Sequence, residues 1–388
     1  MEATGIIVEY NPLHKGHLFH LQKARAANQD AVLVAVMSGD FVQRGEPAIA
    51  CKELRAGLAV EAGVNLVAEL PPFYSTQSAE IFAFGAVGIL DALGCARFVF
   101  GSETADLTLL REKARFAETE AFRTKLRNAL KEGVSYPDAF AAADGGLPLL
   151  SNDILGVEYL RALERLQSPM EAAVIKREKN GCYDLNRAEK FASGFSIRAM
   201  KEKGEDPRDF LPEISHALLK RPWMNWRFLY PFLRLRILKD PDALPFIQDV
   251  EEGYGNRLYE AAWKATDYQT FFREILTKRL TIGRTQRILT HALTGLTREL
   301  TDLAREEIPY VRILAWDHIG QAYLRELKRS RPSGQSKHGQ LPILFTTYRN
   351  ITKKLSAKQL RLLRFSRTAE IIYKTIEETC FKEDSRWN

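Results

Sequence analysis

Up to about residue 175 the apolar positions fall in short, largely β-branched blocks, and between the blocks they recur every three to four residues. Blocks at 5–8, 31–37, 66–70, 97–100 and 172–175 read as buried strands. Most are stopped by small, polar or proline residues, as at Asn11-Pro12, Ser38-Gly39, Pro71-Pro72 and Gly101-Ser102. Stretches 18–27, 52–61, 78–93 and 152–166 read as helices, the last behind a Ser/Asn cap, and 104–150 reads as mostly helix with a break at Gly145-Gly146-Leu147-Pro148. This alternation predicts an α/β fold, a Rossmann-like doubly wound parallel sheet with right-handed crossovers. Pro207 and Pro212 mark a boundary, which predicts a catalytic domain over 1–205 and a mostly helical, basic region over 206–388. Within that second region, 310–315 reads as a short strand-like piece.

Charge sharpens this division. Residues 1–210 hold 25 Lys and Arg against 29 Asp and Glu, a net of −4, whereas residues 211–388 hold 31 against 20, a net of +11. From Lys328 to Ala369 there are eleven basic residues and no acidic one, with Phe345, Tyr348 and Phe365 interleaved. A solvated charged face is the plain alternative. A stretch of that length without a counter-charge predicts contact with a polyanion, nucleic acid first, through Lys328, Arg329, Arg331, Lys337, Arg349, Lys353, Lys354, Arg361 and Arg364. No apolar run approaches the roughly 18 residues of a membrane span, and no secretory signal is visible. Four scattered cysteines without CxxC spacing are expected as reduced, buried thiols of a cytoplasmic protein. No membrane contact is expected, and no protein partner is inferred.

The chemistry concentrates on the first strand-to-helix turn, where His14-Lys15-Gly16-His17 follows Asn11-Pro12. Gly16 would let backbone approach a phosphate, and the imidazoles of His14 and His17 stand at a helix N-terminus whose dipole favours anions. Two histidines three apart can also share a helix face without chemistry. Placement at the carboxyl end of a strand, where open α/β sheets hold their ligands, favours the functional reading. No Cys or acidic cluster stands nearby at metal-ligand spacing, so no metal ligands are assigned. A second helix start, Ser193-Gly194-Phe195-Ser196-Ile197-Arg198, adds hydroxyls, backbone N–H groups and a guanidinium that suit a triphosphate.

Together the two motifs resemble the H-x-G-H nucleotidyltransferases. Longer segments resemble one bacterial family within them, the tRNA(Met) cytidine acetate ligases: G-I-I-V-E-Y-N-P-L-H-K-G-H at 5–17, V-M-S-G-D-F-V-Q-R-G-E-P-A at 36–48, E-L-P-P-F-Y-S-T-Q-S-A-E-I-F-A-F-G-A-V at 69–87 and N-D-I-L-G-V-E-Y-L at 152–160. P-Y-V-R-I-L-A at 309–315 and L-P-I-L at 341–344 are similar too.

The resemblance implies an ATP-dependent ligase. It would form acetyl-adenylate from acetate and ATP, release pyrophosphate, then pass the acetyl group to the N4 amine of the wobble cytidine of elongator tRNA(Met), leaving AMP. It implies ATP along Ile7, Val8, Glu9, Tyr10, Asn11, Pro12, Leu13, Gly16, Leu18, Phe19 and His20, with Gly101, Asn152 and Arg177 as further nucleotide contacts and Ser193, Ser196 and Arg198 on the triphosphate. His14 and His17 would stabilise the α-phosphate, Lys15 would help neutralise the triphosphate, and Ser38, Gly39, Gln43 and Arg44 would shape the pocket for acetate and the target base. Taken alone, Asn152 is also a plain helix cap, Arg177 a surface charge and Arg44 a member of a structural ion pair. A bound triphosphate would bring Mg²⁺, for which the sequence offers no dedicated carboxylate cage. The chain departs from the family pattern at Phe195, where a smaller residue is expected, and at Asn65, Ser151 and Asp184. An adenylyltransferase joining AMP to a small phosphorylated cofactor precursor is the alternative reaction, but it leaves the basic tail without a role.

Overall fold

The computed structural model describes residues 1–131, 136–144, 149–177, 191–330, 343–344 and 355–381. The five apolar blocks form β1 (Ala3–Val8), β2 (Val32–Ser38), β3 (Leu66–Leu70), β4 (Arg97–Ser102) and β5 (Glu171–Lys176). All five pair in parallel in the order β5-β4-β1-β2-β3. Strand order therefore reverses between β1 and β4, which opens a crevice at the carboxyl ends of those strands.

Alternate residues of the sheet feed opposite cores, as the pleat demands. Val32, Val34, Val36, Leu66 and Ala68 pack with the helices Ala79–Ala92 and Ser151–Leu166. Leu33, Ala35, Met37 and Val67 pack on the other face with the helices Lys15–Ala27 and Lys52–Glu61. Covering both faces is what makes the strands read as unbroken apolar runs.

The strand-like piece near 310–315 is β6 (Val311–Trp316), and it lies antiparallel on the free edge of β3. A two-residue strand, β7 (Ile343–Leu344), pairs with β6 in parallel. The five expected strands form the parallel sheet, and β6 and β7 extend it into a mixed one with seven strands described. Periodicity identifies a strand but not its partner, and covering β3 removes an exposed edge. Asn65 shows how the join is secured. Its Oδ1 accepts from the Leu33 N–H at 2.9 Å, while its Nδ2 donates to Asp317 just beyond β6 at 2.8 Å. A carboxylate at this position would face Asp317 with no proton to give.

A separate helical core is built from the helices Trp226–Lys239, Tyr254–Lys264, Tyr268–Ile275 and Ile282–Thr294. The last described helix, Ala357–Phe381, joins the two halves. Its Leu362, Leu363 and Phe365 enter the sheet core, and its Ala369, Tyr373 and Ile376 enter the helical one.

Beneath that junction lies a buried ionic cluster. Lys52 contacts Asp40, Glu69 and Glu370 at 2.9, 3.1 and 3.2 Å, and Arg312 of β6 contacts Glu69 and Glu370 at 3.0 and 2.7 Å. Lys374 closes it on Glu53 and Glu370. Burial alone would raise the Glu370 carboxyl, yet Lys52, Arg312 and Lys374 hold it below the usual carboxylate range. Burial alone would likewise lower Lys52, but Asp40 and Glu69 hold its ammonium above the ordinary value. Removing one member strands the others without water. We expect Arg312→Met to destabilise the chain by about 3–5 kcal/mol, the usual cost of breaking a buried pair from one side. Urea unfolding checks this; a loss below about 1 kcal/mol would contradict it.

Candidate functional site

Backbone geometry at the end of β1 sets the site. Tyr10 has φ +48°, a left-handed turn that carries the chain off the sheet, and His14 is the N-cap of the helix Lys15–Ala27. The cap position turns the His14 ring back over the helix start, where it stacks on His17 with centroids 3.7 Å apart. The Tyr10 ring meets His17 edge-on at 5.0 Å, and the His14 N–H donates to His17 Nδ1 at 3.3 Å. Gly16 keeps this stack undisturbed, because a β-carbon there would stand 3.0 Å from the His14 ring and push it by a few tenths of an ångström. His14 Nδ1 and His20 Nε2 are buried without a hydrogen-bond partner among the described residues.

These imidazoles line a cavity of about 1120 Å³ at the crevice between β1 and β4. Phe100 and Gly101 of β4, Ile175 and Lys176 of β5, and Asn152 and Arg177 form the neighbouring wall. Asn152 does not cap its helix, which begins after Leu150. Its amide is held elsewhere: Oδ1 accepts from Arg177 at 3.1 Å, and Nδ2 donates to Glu103. Glu103 in turn accepts from the Asp153 N–H at 3.0 Å. Gly101 leaves room for this arm, since a β-carbon there would lie 3.1 Å from Arg177 Cγ.

The helix Gly194–Glu202 forms another wall. Ser193 caps it, accepting from the Ser196 N–H at 3.1 Å, and Arg198 donates to the Asn11 carbonyl at 2.7 Å and pairs with Glu46. Glu46 belongs to a tight turn, in which the Gly45 N–H donates to the Val42 carbonyl at 2.8 Å. Arg55, fully buried, holds the carbonyls of Glu9, Ser38, Gly39 and Ala50, so one guanidinium fixes the ends of β1 and β2 together.

Electrostatics make the cavity receptive to anions. Burial, then Arg177 and Arg198, push His14 down to about 4. Burial and Arg177 push His20 down to about 4, and burial with His14, Arg177 and His20 holds His17 well below its ordinary 6.5. Near neutrality the site therefore presents three uncharged imidazoles among guanidiniums. Burial also raises the Glu9 carboxyl, which accepts from the Gln43 N–H at 2.7 Å.

Of the residues singled out above, Ile7, Val8, Glu9, Asn11, His14, Gly16, His17, Phe19, His20, Gln43, Arg44, Gly101, Asn152, Arg177, Ser193 and Arg198 line this one cavity. Arg44 is exposed and has no ion-pair partner among the described residues. Tyr10, Pro12 and Leu13 are buried beneath the turn, Lys15 and Leu18 are half-buried off the lining, and Ser196 shares its hydroxyl with Ser193 at 2.8 Å. Ser38 and Gly39 are buried off the lining too, and Gly39 backs onto the Glu69 carboxylate. In the basic tail, Lys328, Arg329 and Arg364 are exposed, and Arg361 pairs with Glu299 at 2.8 Å. Arg331, Lys337, Arg349, Lys353 and Lys354 lie outside the described residues.

Sequence reading missed Glu46 and the whole contribution of Arg279, Thr281, Arg284 and Arg287, which line the same cavity from the helical half. Arginines spaced around a Thr cap were a visible signal, but the basic charge had been assigned to the tail. Among the described residues no group of three His, Cys, Asp or Glu is placed to hold a metal ion, and no helix is long and apolar enough to cross a membrane.

The chain is similar to known proteins over nearly its whole length. The family model described as HIGH Nucleotidyl Transferase matches residues 1–385. The chain is 41% identical to the tRNA(Met) cytidine acetate ligase of Fusobacterium nucleatum, across 96% of this chain and 95% of the relative. It is 39% identical to the protein of the same name from Caldicellulosiruptor saccharolyticus, across 84% and 85%. The crystal structure of Thermotoga maritima TmcAL (apo, form I) superposes with a TM-score of 0.85 at 31% identity, across 97% of this chain and 95% of that one. Thermotoga maritima TmcAL bound with alpha-thio ATP gives 0.85 at 31% identity, across 99% and 98%.

The depressed imidazoles carry a pH consequence. Between pH 6.5 and about 4 the unfolded chain binds protons at these histidines that the folded chain refuses. Stability must therefore fall as pH falls through that window. An anion in the cavity offsets the guanidiniums and raises the imidazole pKa values. We expect inorganic tripolyphosphate to flatten the loss of stability between pH 6.5 and 4, read by urea unfolding across that range. An unchanged slope would place the anion elsewhere.

Proposed function

The chain belongs to the tRNA(Met) cytidine acetate ligase family, and we propose that it activates acetate with ATP and transfers the acetyl group to the N4 amine of the wobble cytidine of elongator tRNA(Met). The observation that carries this reading is the meeting of His14, His17 and His20 with Arg177 and Arg198 in one cavity at the end of β1. Cations, a helix N-terminus and unpartnered imidazole nitrogens are what a triphosphate needs.

In the first step an acetate oxygen attacks the α-phosphorus of ATP. The bond to the bridging oxygen breaks, pyrophosphate leaves, and acetyl-adenylate remains. Little covalent chemistry falls to the protein, whose part is positioning and charge stabilisation. His14 and His17 would meet the charge that builds on the α-phosphate. Arg177 and Arg198 would turn from Asn152 and Glu46 onto the phosphates, and the start of the helix Gly194–Glu202 would add its N–H groups. Mg²⁺ would be held by phosphate oxygens and water rather than by a protein cage.

In the second step the cytidine N4 attacks the acetyl carbonyl carbon. The carbon–oxygen bond to AMP breaks, AMP leaves as the phosphate anion, and the N4 proton passes to solvent. Gln43 and Arg44 face the cavity from the turn after β2 and would shape the pocket for acetate and the base, on a backbone fixed through Ser38 and Gly39 by Arg55. The basic tail, from Lys328 onward, would hold the rest of the tRNA. The family relationship supports this assignment of partners, and the charge asymmetry between the two halves agrees with it.

We expect His17→Ala to lower acetate-dependent ATP–pyrophosphate exchange by at least about 10²-fold, the usual effect of removing a transition-state donor, while tRNA binding by filter retention stays intact. Exchange at the wild-type rate would remove His17 from the reaction.

A further inference from the structure

At about 1120 Å³ the cavity exceeds the roughly 300–1,000 Å³ that serves a single small ligand. The His14–His17 end lies at the strand termini, whereas the remainder is walled by Phe195 and by residues of the helical half. We infer that this remainder is a docking site for the RNA strand beside the target nucleotide, with an unpaired base stacking on Phe195 and an adjoining phosphate resting on Arg279 and Arg284. The inference rests on the acetyl-transfer reading above and extends it to a subsite.

Phe195 is 63% exposed although it lines the cavity, so it stands at the mouth and not among the enclosing walls. It sits in the first turn of the helix Gly194–Glu202, where the following Ile197 is fully buried and anchors the element. An aromatic side chain in that position contributes nothing to the core, and its free face is a platform for an unstacked base.

The turn Gln43–Glu46 fixes Phe195 relative to the arginines. On one side Glu46 pairs with Arg198, one helical turn from Phe195. On the other side Gly45, at φ +76°, abuts the helix Ile282–Thr294 so closely that a β-carbon would stand 2.2 Å from the Arg287 backbone nitrogen. Thr290 donates to the Gly45 carbonyl at 2.7 Å and completes the contact.

The arginines grade from the mouth inward. Arg279 is exposed and has no ion-pair partner among the described residues. Arg284 is 35% exposed and held by Glu251 at 2.9 Å, and Arg287 is 16% exposed beside Asp249 at 3.9 Å. Positive charge beside an open aromatic face is complementary to a single-stranded nucleic acid.

The test uses the 388-residue chain and three readouts: acetate-dependent ATP–pyrophosphate exchange without RNA, KM for acetyl transfer to an unmodified tRNA transcript, and fluorescence anisotropy with an anticodon stem-loop RNA. Phe195→Ala should raise the RNA Kd and KM about tenfold, the scale of one lost base stack. Phe195→Trp should restore binding and Phe195→Leu should not. Arg279→Ala should weaken RNA binding and reduce its logarithmic salt slope by about one. An unchanged RNA Kd in Phe195→Ala, a rise in the KM for ATP instead, or full rescue by Leu would overturn the inference. Anisotropy needs no turnover, so absence of exchange in the wild type would count against the acetyl-transfer reading alone.

Discussion

The first half of the chain is arranged around three imidazoles and two guanidiniums gathered at the carboxyl end of β1. His14, His17 and His20 are packed tightly enough to lose their protons, Arg177 lies close enough to lower all three further, and Arg198 adds to the effect on His14. Two imidazole nitrogens in this group have no partner among the described residues. Burying polar atoms without partners in this way costs stability, and a bound polyphosphate would offset that cost. Sheet order, the left-handed turn at Tyr10 and the glycine at position 16 all follow as means of holding those rings over one helix start.

The helical half supports the same place rather than standing apart. Gly45 lets the turn after β2 press against the helix Ile282–Thr294, and that contact brings Arg284 and Arg287 to the cavity. Deeper down, Lys52, Glu69, Arg312 and Glu370 lock β6 and the C-terminal helix to the end of β3. Such a cluster specifies one arrangement, because any slip leaves a charge unpaired without water. The turn that carries Gln43 and Arg44 is thereby held from two sides.

Much of this was legible in the chain. Strands buried on both faces are unbroken apolar blocks, so β1 to β5 could be read directly, and Gly16 between two histidines marked the site. The strand at 311–316 was visible as strand-like, but its antiparallel place on β3 was not, because pairing depends on contacts between distant segments. Asn152 looked like a helix cap and instead holds Arg177, since a side-chain amide serves either role and only the position of Glu103 decides. The arginines at 279, 284 and 287 were hidden by the same limit. Arg284 and Arg287 lie on the helix Ile282–Thr294 and Arg279 in the turn before it, but which cavity that helix borders is settled by Gly45, more than two hundred residues away.

The most direct test of acetate activation for RNA acetylation is transfer of label from radiolabelled acetate into total bacterial tRNA, with and without ATP, followed by nucleoside analysis. Label in acetylated cytidine that requires ATP is the expected result. No transfer to tRNA, with ATP cleaved to pyrophosphate and AMP joined to a small phosphorylated acceptor instead, would contradict it and make the enzyme an adenylyltransferase.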